Sequence, residues 1–75
     1  MKERILDLVA EVLPQIDFLS SDSLVDDGIL DSLSIITLIS ELSIEFDVMF
    51  DIGMLTPDNL NSIDAIVETV KKLQE

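Results

Sequence analysis

The stretch Asp31-Ser32-Leu33-Ser34-Ile35-Ile36-Thr37-Leu38-Ile39-Ser40-Glu41-Leu42-Ser43-Ile44-Glu45-Phe46 decides the fold. Ile35, Leu38, Ile39, Leu42 and Phe46 recur at the spacing of one helix face, not at the alternation of a strand. Asp31 and Ser32 are both residues that can cap such a helix, because either side chain can accept a bond from an N–H of the first turn. The sequence therefore predicts a helix from Asp31 or Ser32 to about Phe46.

Working outward, Ile5, Leu8, Val9 and Val12 make a second helical stripe, widened by Leu6 and Leu13, over about Lys2 to Val12. Pro14 ends it, since the residue before a proline is pushed out of the α region. From Gln15 to Asp31 no period holds. Ser20, Ser21, Asp22, Ser23, Asp26, Asp27 and Gly28 are turn and loop residues, so this is a long connection of the kind that tends to carry function. Phe18, Leu19, Leu24, Val25, Ile29 and Leu30 are expected to pin it to the helices. Downstream, Val48, Phe50 and Ile52 alternate, but a lone strand has no partner. Residues 48–55 are thus expected to form an apolar loop, with Phe50 and Ile52 completing the core. Thr56 and Pro57 read as the cap and first residue of a one-turn helix. Asn61 or Ser62 then caps a last helix with Ile63, Ile66, Val67, Val70 and Leu73 on one face. The expected fold is all-α: one domain over residues 1–75, a small four-helix bundle of three main helices and a short one.

Composition excludes many chemistries. With no Cys, His or Trp, the chain has no disulfide, no thiolate or imidazole metal ligand and no His-based catalytic pair. A chain of 75 residues buries only about 60% of its unfolded surface, yet Ile, Leu and Val make up 28 residues, too many for a disordered acidic tail. Sixteen acids against four bases give a net charge of −12. Lys2, Arg4, Lys71 and Lys72 all sit at the ends, and fourteen carboxylates lie between Ile5 and Val70 with no base among them. That surface repels nucleic acid and anionic lipid and steers the chain toward partners with basic patches. No apolar run has the length of a membrane span or the form of a signal peptide, so a cytoplasmic monomer is expected.

One segment, Asp26-Asp27-Gly28-Ile29-Leu30-Asp31-Ser32-Leu33, opens directly into the helix quoted first. It resembles the acyl carrier protein family, in which an Asp-Ser-Leu triplet opens the second helix. Pro57-Asp58-Asn59-Leu60-Asn61-Ser62-Ile63-Asp64-Ala65-Ile66 is similar to the passage between that family's third and fourth helices, so the resemblance covers nearly the whole chain. It implies that Ser32 carries 4′-phosphopantetheine, attached from coenzyme A by a phosphopantetheinyl transferase. The chain is then a non-catalytic carrier of an acyl or aminoacyl thioester. Its expected partners are a loading ligase and downstream transferases or synthases of fatty acid, polyketide or nonribosomal biosynthesis. A phosphodiester at a helix start would face the positive end of the helix dipole.

Asp31 either caps the helix or lies beside the hydroxyl and the metal-bound coenzyme A during modification. Leu33 and Ile36 fall off the core stripe and are candidates for partner docking, with Glu41 and Glu45 adding charge; Met49 and Met54 are candidates for cargo contact. Three features depart from the fatty-acid pattern. Residues 34–40 carry no charge, one extra residue stands between Gly28 and Ser32, and the 46–63 connection is slightly long. These point to a stand-alone carrier of the aminoacyl, D-alanyl or peptidyl type. Two other readings compete with this one. An EF-hand with Gly28 at its sixth position would put Ser34 where a glutamate belongs, so no metal site is expected. The other is an acidic helical interaction domain without a prosthetic group, for which Ser32 would be an ordinary cap.

Overall fold

In the computed structural model, which describes residues 1–75, the elements run α1 (Lys2–Val12), α2 (Ser32–Phe46), a 3₁₀ turn (Ile52–Met54), α3 (Pro57–Leu60) and α4 (Ile63–Gln74). The main boundaries are those the periodicity predicts. α1, α2 and α4 pack against one another in all three pairings, and α3 lies against α4. The core takes Ile5, Val9 and Leu13 from the first helix and its end, Leu38 and Leu42 from α2, Leu60 from α3, and Ile63, Ile66, Val67 and Val70 from α4. Each such side chain contributes about 1.5–3 kcal/mol on leaving water. Ile35, Ile39 and Phe46 are half-buried at the edge of this core.

The long connection is held as expected by Phe18, Leu24 and Leu30, all buried, with Val25 and Ile29 half-buried. Leu19 corrects the expectation: it is 71% exposed. The Asp17 carboxylate accepts the Leu19 N–H at 3.1 Å, and the Asp17 carbonyl accepts the Ser20 N–H at 3.2 Å, a tight side-chain-stabilised turn that throws Leu19 outward. Ile52 is a second correction, at 89% exposure. Alternation holds through Phe50, which packs on the core, but the 3₁₀ turn then rotates successive side chains by about 120°, so that Leu55 packs on the core, Met54 is half-buried and Ile52 faces solvent. Thr56 stands at the cap position of α3, but its hydroxyl oxygen accepts no backbone N–H of that helix; it accepts from Asn59 Nδ2 at 3.3 Å instead. The cap of α4 is Ser62, whose Oγ accepts the Ala65 N–H at 3.0 Å.

Candidate functional site

At the start of α2 the two capping candidates separate. Asp31 is extended (φ −88°, ψ 179°); its Oδ1 accepts the Ser34 N–H at 2.8 Å and its carbonyl accepts the Ile35 N–H at 2.9 Å. The Ser34 N–H, followed by other first-turn donors, holds the Asp31 carboxyl below its ordinary value. Ser32, the first residue inside the helix, is thereby relieved of the capping role. It is exposed, and its hydroxyl makes no hydrogen bond within the chain. A nucleophilic oxygen thus stands free at the positive end of a 15-residue helix, in a form that can accept an attached phosphate. The residues present fit a phosphodiester-linked group.

The turn that delivers Ser32 is closely bonded. Asp27 N–H donates to the Ser23 carbonyl (2.7 Å), Gly28 N–H to that of Val25 (3.1 Å) and Leu30 N–H to that of Leu24 (2.8 Å). Gly28 lies in the left-handed region at φ +75°, which closes the turn. The other side of this segment is tied to Asn61, whose carbonyl accepts the Leu24 N–H (2.7 Å) and whose Oδ1 accepts those of Val25 (2.9 Å) and Asp26 (3.2 Å). Its Nδ2 donates to Asp26 Oδ2 at 3.0 Å. In the sequence Asn61 reads only as an alternative helix cap. No local signal announces a partnership across 36 residues.

Leu33 and Ile36 are 74% and 58% exposed on the outer side of α2, and Ile44, 78% exposed, extends them. With about 100° per residue, Leu33, Ile36, Ser40 and Ile44 share one outward strip. This third apolar residue was readable from the same spacing that located the core face. Glu41 and Glu45 lie about a quarter turn or more around the helix from that strip. Glu45 faces α1, where Arg4 pairs with it. The two glutamates are therefore not brought together with Leu33 and Ile36. Met49 is 82% exposed, while Met54 is half-buried with its carbonyl accepting Asn59 Nδ2 at 2.9 Å. Two open grooves mark the surface, one between α1 and the loop after it and one around Arg4 and Glu45; neither is lined by Ser32, Met49 or Met54.

The family model described as "Phosphopantetheine attachment site" matches residues 3–70. The D-alanyl carrier protein of Streptococcus uberis is 32% identical over 75 residues, covering 99% of this chain and 95% of that protein. That of Lactobacillus delbrueckii subsp. bulgaricus is 30% identical over 77 residues, covering 100% of this chain and 95% of that protein. Its counterpart in Streptococcus sanguinis is 28% identical over 75 residues, with 99% and 95% covered. No solved structure matches.

Proposed function

This chain belongs to the phosphopantetheine-attachment family, and on that premise we propose that Ser32 bears the arm and that the cargo is a D-alanyl or closely related small aminoacyl group. Carrier function itself comes with the family: the covalent 4′-phosphopantetheine supplies a flexible chain ending in a thiol, which holds acyl cargo as a thioester. The observation that carries the Ser32 assignment is its free, exposed hydroxyl at the first position of α2, with Asp31 already serving as cap. In the attachment step, Ser32 Oγ bonds to the β-phosphorus of coenzyme A and adenosine 3′,5′-bisphosphate leaves. The hydroxyl proton passes to a base of a phosphopantetheinyl transferase. The new phosphodiester then faces the unpaired N–H groups of the first turn. Asp31 keeps that turn ordered throughout.

The cargo proposal rests on the relatives, which are D-alanyl carriers over essentially their whole length. It also suits the surface around Ser32, since a small polar group needs no apolar sheath. We assign docking of the loading ligase and downstream transferases to Leu33 and Ile36, extended by Ile44, while the net charge of −12 supplies longer-range steering toward basic surfaces. Glu41 and Glu45 stand off this strip and add only to the general charge, Glu45 the less for being already paired with Arg4. Met49 and Met54 are assigned at most a passing contact with cargo. No helix of the chain is long and apolar enough to cross a membrane; the proposed place of action is the cytoplasm, where coenzyme A is available.

Intact mass after incubation with coenzyme A and a promiscuous phosphopantetheinyl transferase tests the site. Wild type should gain one phosphopantetheine, and Ser32→Ala should keep its helical spectrum and gain none. An alanine variant that still gains the mass ends the Ser32 assignment. For cargo, holo-protein is loaded with D-alanine and, separately, with a medium-length fatty acid. Amide shifts at residues 48–55 for the fatty group alone would point away from the aminoacyl reading; shifts confined to the neighbourhood of Ser32 for both support it.

A further inference from the structure

We infer that Asn61 is a positioning residue for the modification of Ser32, acting through the turn that leads into α2; this rests on Ser32 being the attachment residue. The corner between α3 and α4 is joined to three consecutive loop residues by a single side chain and its carbonyl. Leu24, Val25 and Asp26 each give their N–H to Asn61, at 2.7, 2.9 and 3.2 Å, and Asp26 takes the amide N–H back at 3.0 Å. Asn61 also gives its own N–H to the Pro57 carbonyl at 2.9 Å, so it is fixed from the α3 side. From Leu24 the chain closes through the Leu30-to-Leu24 bond, with both leucine side chains buried, and the next two residues are Asp31 and Ser32. Asn61 therefore sets where the α2 entrance sits relative to the rest of the bundle.

A transferase must seat Ser32 Oγ against the coenzyme A phosphorus in one geometry, and small misplacements are costly to such a step. Without the Asn61 amide, the Val25 and Asp26 N–H groups lose their acceptor and the turn spreads over several arrangements. Only the fraction still in the original arrangement binds productively, so the apparent affinity falls by that fraction. The loss belongs in KM for the carrier, because a molecule that has been seated reacts as before.

The experiment measures phosphopantetheine transfer from coenzyme A by intact mass over a range of carrier concentrations. Asn61→Ala should raise KM roughly tenfold while kcat stays within about twofold. Asn61→Asp sets two carboxylates together and should be at least as impaired. The exchange Asp26→Asn with Asn61→Asp restores an amide–carboxylate pair of reversed direction and keeps acceptors for both loop N–H groups, so KM should return toward wild type. A role confined to stability would lower the melting temperature of Asn61→Ala without this split and without recovery in the exchange variant. Wild-type KM in Asn61→Ala overturns the inference. Where the alanine variant fails to fold, the comparison moves to Asn61→Asp and the exchange, and equal KM in those two overturns it. A wild type that gains no mass, or a Ser32→Ala that does, overturns the Ser32 assignment first and this inference with it.

Discussion

Gly28 and Gly53 permit one substitution to be tested in two backbone settings. Both glycines have open space where a Cβ would stand, with nothing within 4 Å. Steric collision with neighbours is therefore removed from the comparison, and only the backbone conformation differs. Gly28 has φ +75°, in the region where an L side chain crowds its own carbonyl, at about 1–2 kcal/mol. Gly53 lies inside the 3₁₀ turn without a positive φ, in a conformation alanine adopts freely. Replacing glycine there limits the unfolded chain more than the folded one, which stabilises by about 0.4–1 kcal/mol. A domain of this size shifts its midpoint by about 4–8 °C per kcal/mol. Gly53→Ala should thus melt about 2–8 °C above wild type, and Gly28→Ala, which shares the unfolded-state gain but carries the strain, about 4–16 °C below Gly53→Ala. Thermal unfolding followed by circular dichroism at fixed salt reads both. Gly28→Ala melting as high as Gly53→Ala would refute the left-handed turn before α2, and with it the geometry given for the delivery of Ser32.

Other outcomes follow from the same structure. Leu38→Ala or Leu42→Ala should remove about half of the stability or more, since about 2.7–5 kcal/mol is lost from fully buried sites against a total near the low end of ~5–15 kcal/mol, and should lower the midpoint by more than about 10 °C; Ile44→Ala, on the exposed strip, should melt as wild type, by circular dichroism. Three of the four bases are already paired, Lys2 with Asp64, Arg4 with Glu45 and Lys71 with Glu68, so the remaining carboxylates repel one another, and the midpoint should rise from low to moderate salt by differential scanning calorimetry. The Asp31 carboxyl has a folded-state pKa below its unfolded value, so its stabilisation is complete above the ordinary 3.8 and lost as pH falls through the folded value. Wild type minus Asp31→Asn, compared by urea unfolding, should then give a constant difference above about pH 5 that shrinks only in the acid range.

The helices were legible because each carries enough apolar residues at one spacing for local sequence to decide it. In α2, Leu38 and Leu42 fill the core and Ile35, Ile39 and Phe46 its margin, as the repeat requires. Pro57 and Ser62 marked helix starts for reasons that lie within one turn of chain. What could not be read involves partners far along the chain or turns of a few residues. Glu45 looks like half of a solvated i, i+4 pair until α1 brings Arg4 beside it. Ile52 continues an alternating pattern, yet three residues of 3₁₀ geometry turn it into solvent. Asp31 and Ser32 were equivalent caps in the sequence. Only the backbone distinguishes them, by making Asp31 extended and placing Ser32 inside the helix.

That last distinction joins the charge to the carrier role. A carrier has to meet several enzymes in turn and leave each one, so strong contacts next to the arm would slow its cycle. The strip beside Ser32 is apolar or uncharged, with Leu33, Ile36, Ser40 and Ile44 along it, in a chain with sixteen carboxylates. Acid elsewhere on the surface acts over a Debye length of about 8–10 Å and speeds encounter with basic partners. As the docking surface proposed for this chain, the strip would contribute a small area of apolar burial and no buried charge, which would be slow to desolvate and costly to leave unpaired. On that proposal, steering and docking fall to different residues. Raising salt should slow encounter with a basic partner while leaving its dissociation rate nearly unchanged, and Ile44→Ala should do the reverse. Surface-plasmon measurements with the loading ligase separate the two rates; a salt effect carried mainly by dissociation would place charge inside the contact and refute this division.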